Sequence, residues 1–199
     1  MLTRDVSLYI SYLAKLKKME DTEILNLYRA GEEQQAFNLI MRKYNERLYW
    51  HIRKIVCDHD DANDLLQNTL IKVWNSLGSF REDSKLYTWL YRIATNEAIT
   101  FLNKKKLRCA LSMSDYSSKL ENKLIADPYF NEDKIKIALN KAIAKLPTKQ
   151  GIVFNMRYFD EMKYEEISEI LGISVGSLKA SYHHAYNKIK AYLKETLDM

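Results

Sequence analysis

Residues 164–190, YEEISEILGISVGSLKASYHHAYNKIK, have the pattern of two helices separated by a short turn. Ile167 and Ile170 lie at helical spacing behind two glutamates, which the positive end of a helix favours in its first turn. Gly172 suits a backbone position with positive φ, and Ser174 is a good N-cap for the second helix. We therefore expect a helix-turn-helix in this stretch.

The second of these helices is expected to have two unlike faces. One is an apolar stripe formed by Leu178, Tyr182, Ala185 and Ile189. The other carries small and polar groups, namely Ala180, His183, His184 and Asn187, flanked by Lys179. A helix fits the major groove of DNA when one side packs against its own domain and the other side carries short polar side chains. Two helices of a bundle with a solvated polar face would give the same pattern, so the motif alone leaves both interpretations open.

The composition favours a helical protein and suits a polyanionic partner. Hydrophobic residues make up 47% of the 199 and aromatic residues 12%, which is enough for buried cores. Five glycines and two prolines are few for a β-rich or loop-rich chain. The net charge of +5 suits nucleic acid without requiring it, and the length allows one large domain or two small ones.

The chain has no sequence signature of a catalytic, metal or disulfide site. Cys57 and Cys109 stand far apart without a CxxC motif, so we expect reduced, partly buried thiols. His183 and His184 have no further clustered ligands, which favours groove contact or solvation over metal binding. No run reaches the roughly 18 to 20 apolar residues of a membrane span, and the N-terminus lacks the pattern of a secretory signal. We expect a cytoplasmic protein without a cofactor.

Three helical runs in the N-terminal half predict a compact bundle. Residues 21–57 suggest a short helix and then a long one, whose apolar stripe is Ala36, Phe37, Ile40, Tyr44, Leu48, Ile52, Ile55 and Val56. Residues 60–77 begin with acidic residues and then offer a wide apolar face, made of Ala62, Leu65, Leu66, Thr69, Val73, Trp74 and Leu77. In residues 84–106 we place Leu86, Trp89, Leu90, Ile93, Ala94, Ala98 and Phe101 inward, and Tyr87, Thr88, Tyr91, Arg92, Thr95, Asn96 and Asn103 on the other side.

The helical periodicity fails after this bundle. Residues 107–131 are rich in Ser, Asp and Asn and contain Pro128, which makes them the best linker candidate in the chain. Helical patterns resume near Asp133 and lead into the helix-turn-helix. The predicted fold is therefore all-α, with two small helical domains, an N-terminal helical bundle and a C-terminal helix-turn-helix, joined by a flexible linker.

Two separated motifs resemble one protein family. The first, DDANDLLQNTLIKVWNSLGSFREDSKLYTWLYRIATNEAITFLNKKK in residues 60–106, closely resembles the second region of bacterial extracytoplasmic-function (ECF) sigma factors, which belong to the sigma-70 family. The second, LPTKQGIVFNMRYFDEMKYEEISEILGISVGSLKASYHHAYNKIK in residues 146–190, is similar to their fourth region. Both motifs occur in the family's order and are joined by a short linker. Together with residues 21–57, the resemblance spans most of the chain.

The resemblance implies a sigma factor, which has no enzymatic activity of its own. Such a protein binds core RNA polymerase and directs promoter-specific transcription initiation by recognising minus-ten and minus-thirty-five DNA elements. Region 2 would occupy residues 19–106 and region 4 residues 132–195, with the linker at 107–131. Residues 1–18 lie outside the resemblance, and two interpretations stay open: translation starts at Met19, or this extension is a small partner-binding helix.

The resemblance also implies partners. In the family an anti-sigma factor, often bound to a membrane, commonly masks the polymerase-binding surfaces. We therefore expect such a partner in addition to core polymerase and promoter DNA. It would hold this cytoplasmic protein at the inner face of the membrane, without stable insertion of the chain itself.

Residues for the N-terminal interfaces follow from the matching family positions. Docking on a coiled coil of the largest polymerase subunit would fall to Asp61, Asp64, Leu65 and Gln67, although Leu65 and Leu66 also suit the core. Asn96 would hold a flipped minus-ten base, and the DNA backbone would meet Arg92, Lys104, Lys105 and Lys106. Trp89 and Phe101 have the register of core residues rather than of stacking platforms.

In the C-terminal domain, contact with the minus-thirty-five element would fall to Arg157, Ser177, Lys179, His183 and His184. The family commonly has arginines near Ser181 and His184, so the more neutral face of this chain predicts weak DNA binding by the domain alone. Two rival functions remain. An autonomous helix-turn-helix regulator would bind duplex DNA tightly without polymerase, whereas an enzyme is disfavoured because no phosphate loop, HExxH motif or Ser/His/Asp order is present.

Overall fold

The computed structural model describes residues 20–109 and 134–197, which are helical and contain no strand. The N-terminal unit consists of α1 (Asp21–Arg29), α2 (Glu33–Val56), α3 (His59–Ser76), a 3-10 turn (Leu77–Ser79) and α4 (Leu86–Cys109). The C-terminal unit consists of α5 (Lys134–Ala144), α6 (Thr148–Tyr158), α7 (Tyr164–Leu171) and α8 (Val175–Thr196). The predicted all-α fold with two helical domains is confirmed. The extension 1–18 and residues 110–131 of the predicted linker lie outside the described residues.

Short-range signals set several helix ends. Asp58 caps α3, since its side chain accepts a hydrogen bond from the backbone N–H of Asp61 at 3.0 Å. Gly172 ends α7 with a φ of 66°, as the sequence predicts. Ser174 then caps α8 by accepting from the backbone N–H of Ser177 at 3.3 Å. The turn between α7 and α8 therefore has the geometry expected of a helix-turn-helix.

The core of the N-terminal unit surrounds α2, which packs against α1, α3 and α4. Seven of the eight residues in its predicted stripe are buried, and Phe37 is half-buried. On α3 the prediction for Trp74 is wrong, because this side chain is 39% exposed. Leu70, Val73 and Leu77 fill the inner face of this segment, which leaves Trp74 at its margin in an edge-on contact with Phe37 at 5.0 Å.

Helix α4 is buried on more sides than its sequence indicates. Thr88, Tyr91 and Thr95, which we place outward from the sequence, are buried. The side chain of His51 on α2 explains two of them, since its ring centroid lies 4.7 Å from that of Tyr91 and its Nε2 lies 2.9 Å from Thr95 Oγ1. Helix α7 of the C-terminal unit also packs against α4. Neither neighbour is visible in the periodicity of α4 itself.

Two isoleucines provide a test of this core. Ile52 on α2 is 0% exposed and Ile71 on α3 is 58% exposed. We expect Ile52→Ala to lower the free energy of unfolding by about 2–5 kcal/mol, because it leaves a cavity in the packed centre. Ile71→Ala should lower it by less than about 1 kcal/mol. Urea unfolding followed by circular dichroism measures both changes, and equal losses in the two variants would contradict the described packing.

Candidate protein and nucleic-acid interfaces

The exposed face of α3 is a stripe of acidic, amide and apolar side chains. Asp64 and Gln67, both predicted for polymerase binding, are exposed on this face. The stripe continues one turn after Gln67 with Ile71 and two turns after it with Trp74, which are 58% and 39% exposed. Sequence reasoning misses this apolar part; the signal that could have found it is the position of Ile71 two turns after Asp64, on the polar side of the helix. We call these four residues the α3 stripe.

The other two residues predicted for polymerase binding are not free on this surface. Leu65 is 5% exposed and belongs to the core, so its side chain offers little area to a partner. Asp61 is half-buried and forms an ion pair with Lys105 of α4. Lys105 also lies with its Nζ 5.2 Å from the ring centroid of Phe101. A predicted polymerase contact and a predicted DNA contact are therefore paired with each other.

The residues predicted for the minus-ten element are spread along α4. Asn96 and Lys104 are exposed, whereas the side chain of Lys106 lies outside the description. Arg92 is half-buried, and its Nε is buried without a hydrogen-bond partner among the described residues. An unsatisfied buried donor of this kind favours any rearrangement that supplies an acceptor, such as a phosphate oxygen.

The two large aromatic residues of α4 have packing roles. Trp89 is half-buried, and its ring lies 5.0 Å from that of Phe80. Phe101 is also half-buried and packs against the core. Both arrangements agree with the expectation that these rings stabilise the unit rather than serve as platforms for bases.

Helix α8 presents the face that the sequence predicts for DNA. Leu178, Ala185 and Ile189 are buried on one side. The opposite sides carry exposed residues, among them Ser177, Lys179, His183 and His184. The Nε2 atom of His183 lies 2.9 Å from Nδ2 of Asn187, one turn further along the helix. The face of α8 that the sequence predicts for DNA contact is thus open to solvent and mostly neutral.

Two basic residues of the C-terminal unit meet at one aromatic ring. The guanidinium carbon of Arg157 lies 5.4 Å from the ring centroid of Tyr164, and Nζ of Lys179 lies 5.8 Å from it. Arg157 is fixed further by donating from Nη1 to the carbonyl oxygen of Met162 at 3.1 Å. The ring of Tyr164 therefore brings together Arg157, which precedes the helix-turn-helix, and Lys179 of α8. The sequence motifs predict no DNA contact for Tyr164 itself.

Two further searches concern metals and membranes. The described part of the chain has no group of three or more His, Cys, Asp or Glu side chains placed to hold a metal ion. None of its helices combines the length and the apolar character that a membrane crossing requires. Cys57 is a free, half-buried thiol, as expected, while the side chain of Cys109 lies outside the description.

Comparison with known proteins assigns the chain to a family. The model of sigma-70 region 2 matches residues 40–108, and that of sigma-70 region 4 matches residues 136–189. The chain is 30% identical over 171 residues to the ECF RNA polymerase sigma factor SigW of Bacillus subtilis, covering 82% of this chain and 91% of that protein. The chain belongs to the ECF sigma factors. It is also 28% identical to the RNA polymerase sigma-H factor of Pseudomonas aeruginosa, over 92% of this chain and 98% of that one.

Two solved structures have the same fold, and one of them is a sigma factor. CnrH, in complex with the cytosolic domain of CnrY, superposes with a TM-score of 0.64 at 21% identity, covering 89% of this chain and 99% of CnrH. RpoE, in complex with the anti-sigma factor NepR from Bartonella quintana, gives a TM-score of 0.62 at 23% identity, covering 79% and 96%. The protein is a promoter-recognising sigma factor that directs transcription initiation, not an enzyme. The comparisons thus favour the first of the three functions considered from the sequence.

Two glycines test the geometry of the helix-turn-helix in this sigma factor. A Cβ added at Gly172 or at Gly176 would meet no atom within 4 Å, but only Gly172 has a positive φ, of 66°. We expect Gly172→Ala to lower the free energy of unfolding by about 1 kcal/mol through backbone strain. Gly176→Ala, in the first turn of α8, should raise it by about 0.5 kcal/mol. Thermal unfolding measures both, and the same sign in the two variants would contradict the turn described here.

Proposed function

We propose that this sigma factor contacts core polymerase with the α3 stripe and reads its promoter at two separate places. Helix α4 reads the minus-ten element and α8 reads the minus-thirty-five element. The proposal rests on the difference between the two sides of α8. Its apolar side is buried in the core, whereas the exposed residues on its other sides include Ser177, Lys179, His183 and His184. A helix held in this way can enter a major groove without disturbing its own domain.

The α3 stripe has the composition of a protein-binding surface. Trp74 and Ile71 supply exposed apolar area, and an aromatic anchor of this kind often carries much of the binding energy. Asp64 and Gln67 on the same face supply the polar groups that fix the register of a partner helix. Asp61 contributes through its ion pair with Lys105, which ties α3 to α4.

On α4 the proposed roles divide between base and phosphate. Asn96 is exposed and carries an amide, which can donate to and accept from the edge of an unpaired base. Lys104 is exposed on the same helix, and with Arg92, Lys105 and Lys106 it would attract the DNA backbone in a salt-dependent way. Lys105 would have to exchange its carboxylate partner Asp61 for phosphate.

On α8 the proposed readout centres on Lys179. With Arg157 it places two positive charges beside the ring of Tyr164, which gives the domain a phosphate-binding or guanine-binding corner. Ser177, His183 and His184 complete the surface with neutral groups. Such a face binds weakly by itself, so stable promoter binding depends on polymerase linking both domains to one DNA molecule.

Two further parts of the proposal concern partners and organisation. The solved neighbour RpoE is bound to an anti-sigma factor and CnrH to a cytosolic domain of its partner. These complexes support an anti-sigma partner and a cytoplasmic location for the present chain. We propose in addition that this partner holds the chain at the inner membrane face. We assign region 2 to residues 19–106, the linker to 107–131 and region 4 to 132–195, with the last residues of α4, 107–109, extending into the first part of that linker.

Run-off transcription on genomic fragments, with and without core polymerase, tests the proposal. We expect discrete transcripts only when both proteins are present. Asn96→Ala should lower their yield about tenfold or more, since it removes the base contact, and Lys179→Ala should weaken promoters that depend on the upstream element. Specific retention of duplex DNA without polymerase, and no transcript with it, would contradict the proposal in favour of an autonomous regulator.

Matched variants control for indirect effects on folding. Asn38→Ala changes an exposed asparagine on α2, and Lys190→Ala removes an exposed lysine on α8 beyond the proposed contacts. Both should transcribe like the unmodified protein. Loss of activity in these controls equal to that in Asn96→Ala and Lys179→Ala would argue against the assigned surfaces.

The polymerase surface has its own test. Ile71 and Ile135 are 58% and 56% exposed, but Ile71 lies in the α3 stripe and Ile135 on α5 of the other unit. We expect Ile71→Ala and Trp74→Ala to weaken binding to core polymerase by about 10- to 100-fold. The reason is that truncating a side chain that anchors an interface typically costs about 1–3 kcal/mol of binding free energy. Ile135→Ala should leave the affinity within about twofold. Fluorescence anisotropy of the labelled sigma factor measures the dissociation constants, and equal effects at both isoleucines would exclude the α3 stripe.

A further inference from the structure

The charges of the C-terminal unit are unevenly distributed. Residues 134–159 contain five lysines and one arginine but no acidic residue. The acidic residues in the described part of this unit instead lie in residues 160–169, apart from Glu195. Helix α5, the first turn of α6 and the last turns of α8 therefore form the basic part of the unit, whereas α7 and the turn before it form the acidic part.

Three exposed lysines of this basic part lie around the start of α6. Lys145 precedes α6, Lys149 lies in its first turn, and Lys188 belongs to α8. Nζ of Lys188 donates a hydrogen bond at 3.1 Å to Oε1 of Gln150, the residue after Lys149. Nζ of Lys145 lies 4.5 Å from the ring centroid of Tyr192, which is one turn after Lys188. These contacts place the three lysines on one surface, which we call the lysine patch.

The surroundings of the lysine patch do little to neutralise it. The contacts of Lys145 and Lys188 described above are with an aromatic ring and an amide, which carry no net charge. The first turn of α6 has no acidic residue, although the positive end of a helix dipole favours one. By contrast, Glu165 and Glu166 occupy the first turn of α7. The lysine patch therefore has a positive potential that an anionic partner would stabilise.

The lysine patch lies on one flank of the face of α8 that is proposed to meet DNA. Lys188 is the last member of a row at helical spacing, formed by Ser177, Ser181, His184 and Lys188. Lys179 lies nine residues before Lys188, which at about 100° per residue corresponds to about two and a half turns. The two lysines therefore lie on opposite flanks of the helix, on either side of its exposed face.

The dimensions of DNA suit a helix with positive charge on both flanks. Arg157 and Lys179 meet at the ring of Tyr164 on one flank, and the lysine patch lies on the other. A helix with its side chains is about 10–12 Å in diameter, and the major groove of B-form DNA is about 12 Å wide. A helix that enters this groove therefore brings its two flanks close to the phosphates of the two strands.

We propose that the lysine patch binds the phosphate backbone of one DNA strand at the minus-thirty-five element, while Arg157 and Lys179 face the backbone of the other strand. The two basic groups hold α8 in the groove from both sides. They supply the electrostatic affinity that the mostly neutral face of α8 lacks. This inference rests on the proposed function, because it requires α8 to enter the groove of that element.

DNA phosphate fits the lysine patch better than an acidic protein surface does. The ammonium group of lysine is a compact charge on a flexible stem, which meets phosphate without a fixed geometry. Protein interfaces are instead depleted in lysine and are anchored by buried aromatic or apolar side chains. The large apolar residues that this unit exposes lie outside the patch, namely Ile135, Tyr158, Phe159 and Tyr186.

The salt dependence of promoter binding tests the lysine patch. The variant Lys145→Gln/Lys149→Gln/Lys188→Gln is assembled with core polymerase and bound to promoter duplexes obtained by run-off transcription. Each lost phosphate contact changes the slope of log K against log salt concentration by about 0.9. We expect a slope that is shallower by about 2 to 3 and an affinity at about 0.1 M salt that is lower by at least about tenfold. Arginine at the same three positions should restore both, because it keeps the charge.

A matched control removes the same charge outside the patch. The variant Lys134→Gln/Lys136→Gln/Lys190→Gln changes three exposed lysines and should leave the slope within about 0.5 of that of the unmodified protein. Circular dichroism verifies that both triple variants fold. Equal losses in the two triple variants would indicate a general effect of charge and would overturn the site, as would an unchanged slope in the patch variant.

DNA cleavage tests the arrangement of the two flanks. Lys179→Cys and Lys188→Cys, each in a chain with Cys57→Ser and Cys109→Ser, can carry an iron chelate that generates hydroxyl radicals. In the complex with polymerase and promoter DNA, we expect the two conjugates to cut opposite strands of the minus-thirty-five element, because the flanks face opposite walls of the groove. Cleavage of the same strand by both, or cleavage from Lys179→Cys alone, would overturn the proposed clamp.

Two comparisons separate this inference from its alternatives. The patch variant should bind core polymerase within about twofold of the unmodified chain; a loss of about tenfold there, with an unchanged DNA salt slope, would assign the patch to an acidic protein surface and overturn the inference. Weaker promoter binding in Lys179→Ala but not in the patch variant would contradict the lysine patch alone. If neither variant changes binding, and removal of the upstream element from the duplex does not either, the proposed function of α8 itself is contradicted.

Discussion

Packing on several sides of α4 is the constraint on which the rest of the structure depends. Tyr91 and Thr95 lie one turn apart and point towards His51 of α2, so this side of the helix belongs to the core. Arg92 and Asn96 lie one position further round, where a rotation of about 100° per residue carries them towards α7 and solvent. Different sides of α4 therefore face the core, the C-terminal unit and the proposed DNA surface. The position of a side chain around the helix axis decides which of these it contacts.

How much of this could be predicted from the sequence depends on the range of the interactions. The turn between α7 and α8 is predictable, because Gly172 and Ser174 act on their own neighbours and the stripe of α8 repeats every turn. The burial of Thr95 is not predictable in this way. It depends on His51, which in turn is fixed by Asp160, a residue 109 positions away. Periodicity records that a helix has an apolar side, but not that a second domain covers another.

The candidate surfaces also combine features that can be predicted from a single helix with features that depend on distant residues. Asp64, Gln67, Lys179 and the two histidines are exposed, which a contact with a partner requires but does not demonstrate. The sequence does not show how wide the apolar face of α3 is. Leu65 therefore suits either the core or a partner by sequence alone, and the prediction that Trp74 is buried is wrong. The net charge of the chain, +5, does not reveal which lysines form ion pairs. Lys105 pairs with Asp61, and Lys85 pairs with Glu166. Half-exposed pairs of this kind are weak, because water and salt screen their charges.

The connection between the two units bears on the proposed promoter binding through their effective concentration. Once one domain holds its DNA element, the connection keeps the second domain near the other element, so that two weak affinities combine. A longer connection would weaken this effect, and a much shorter one could not span two promoter elements. The mostly neutral face of α8 is therefore compatible with promoter recognition that is divided between two small linked domains.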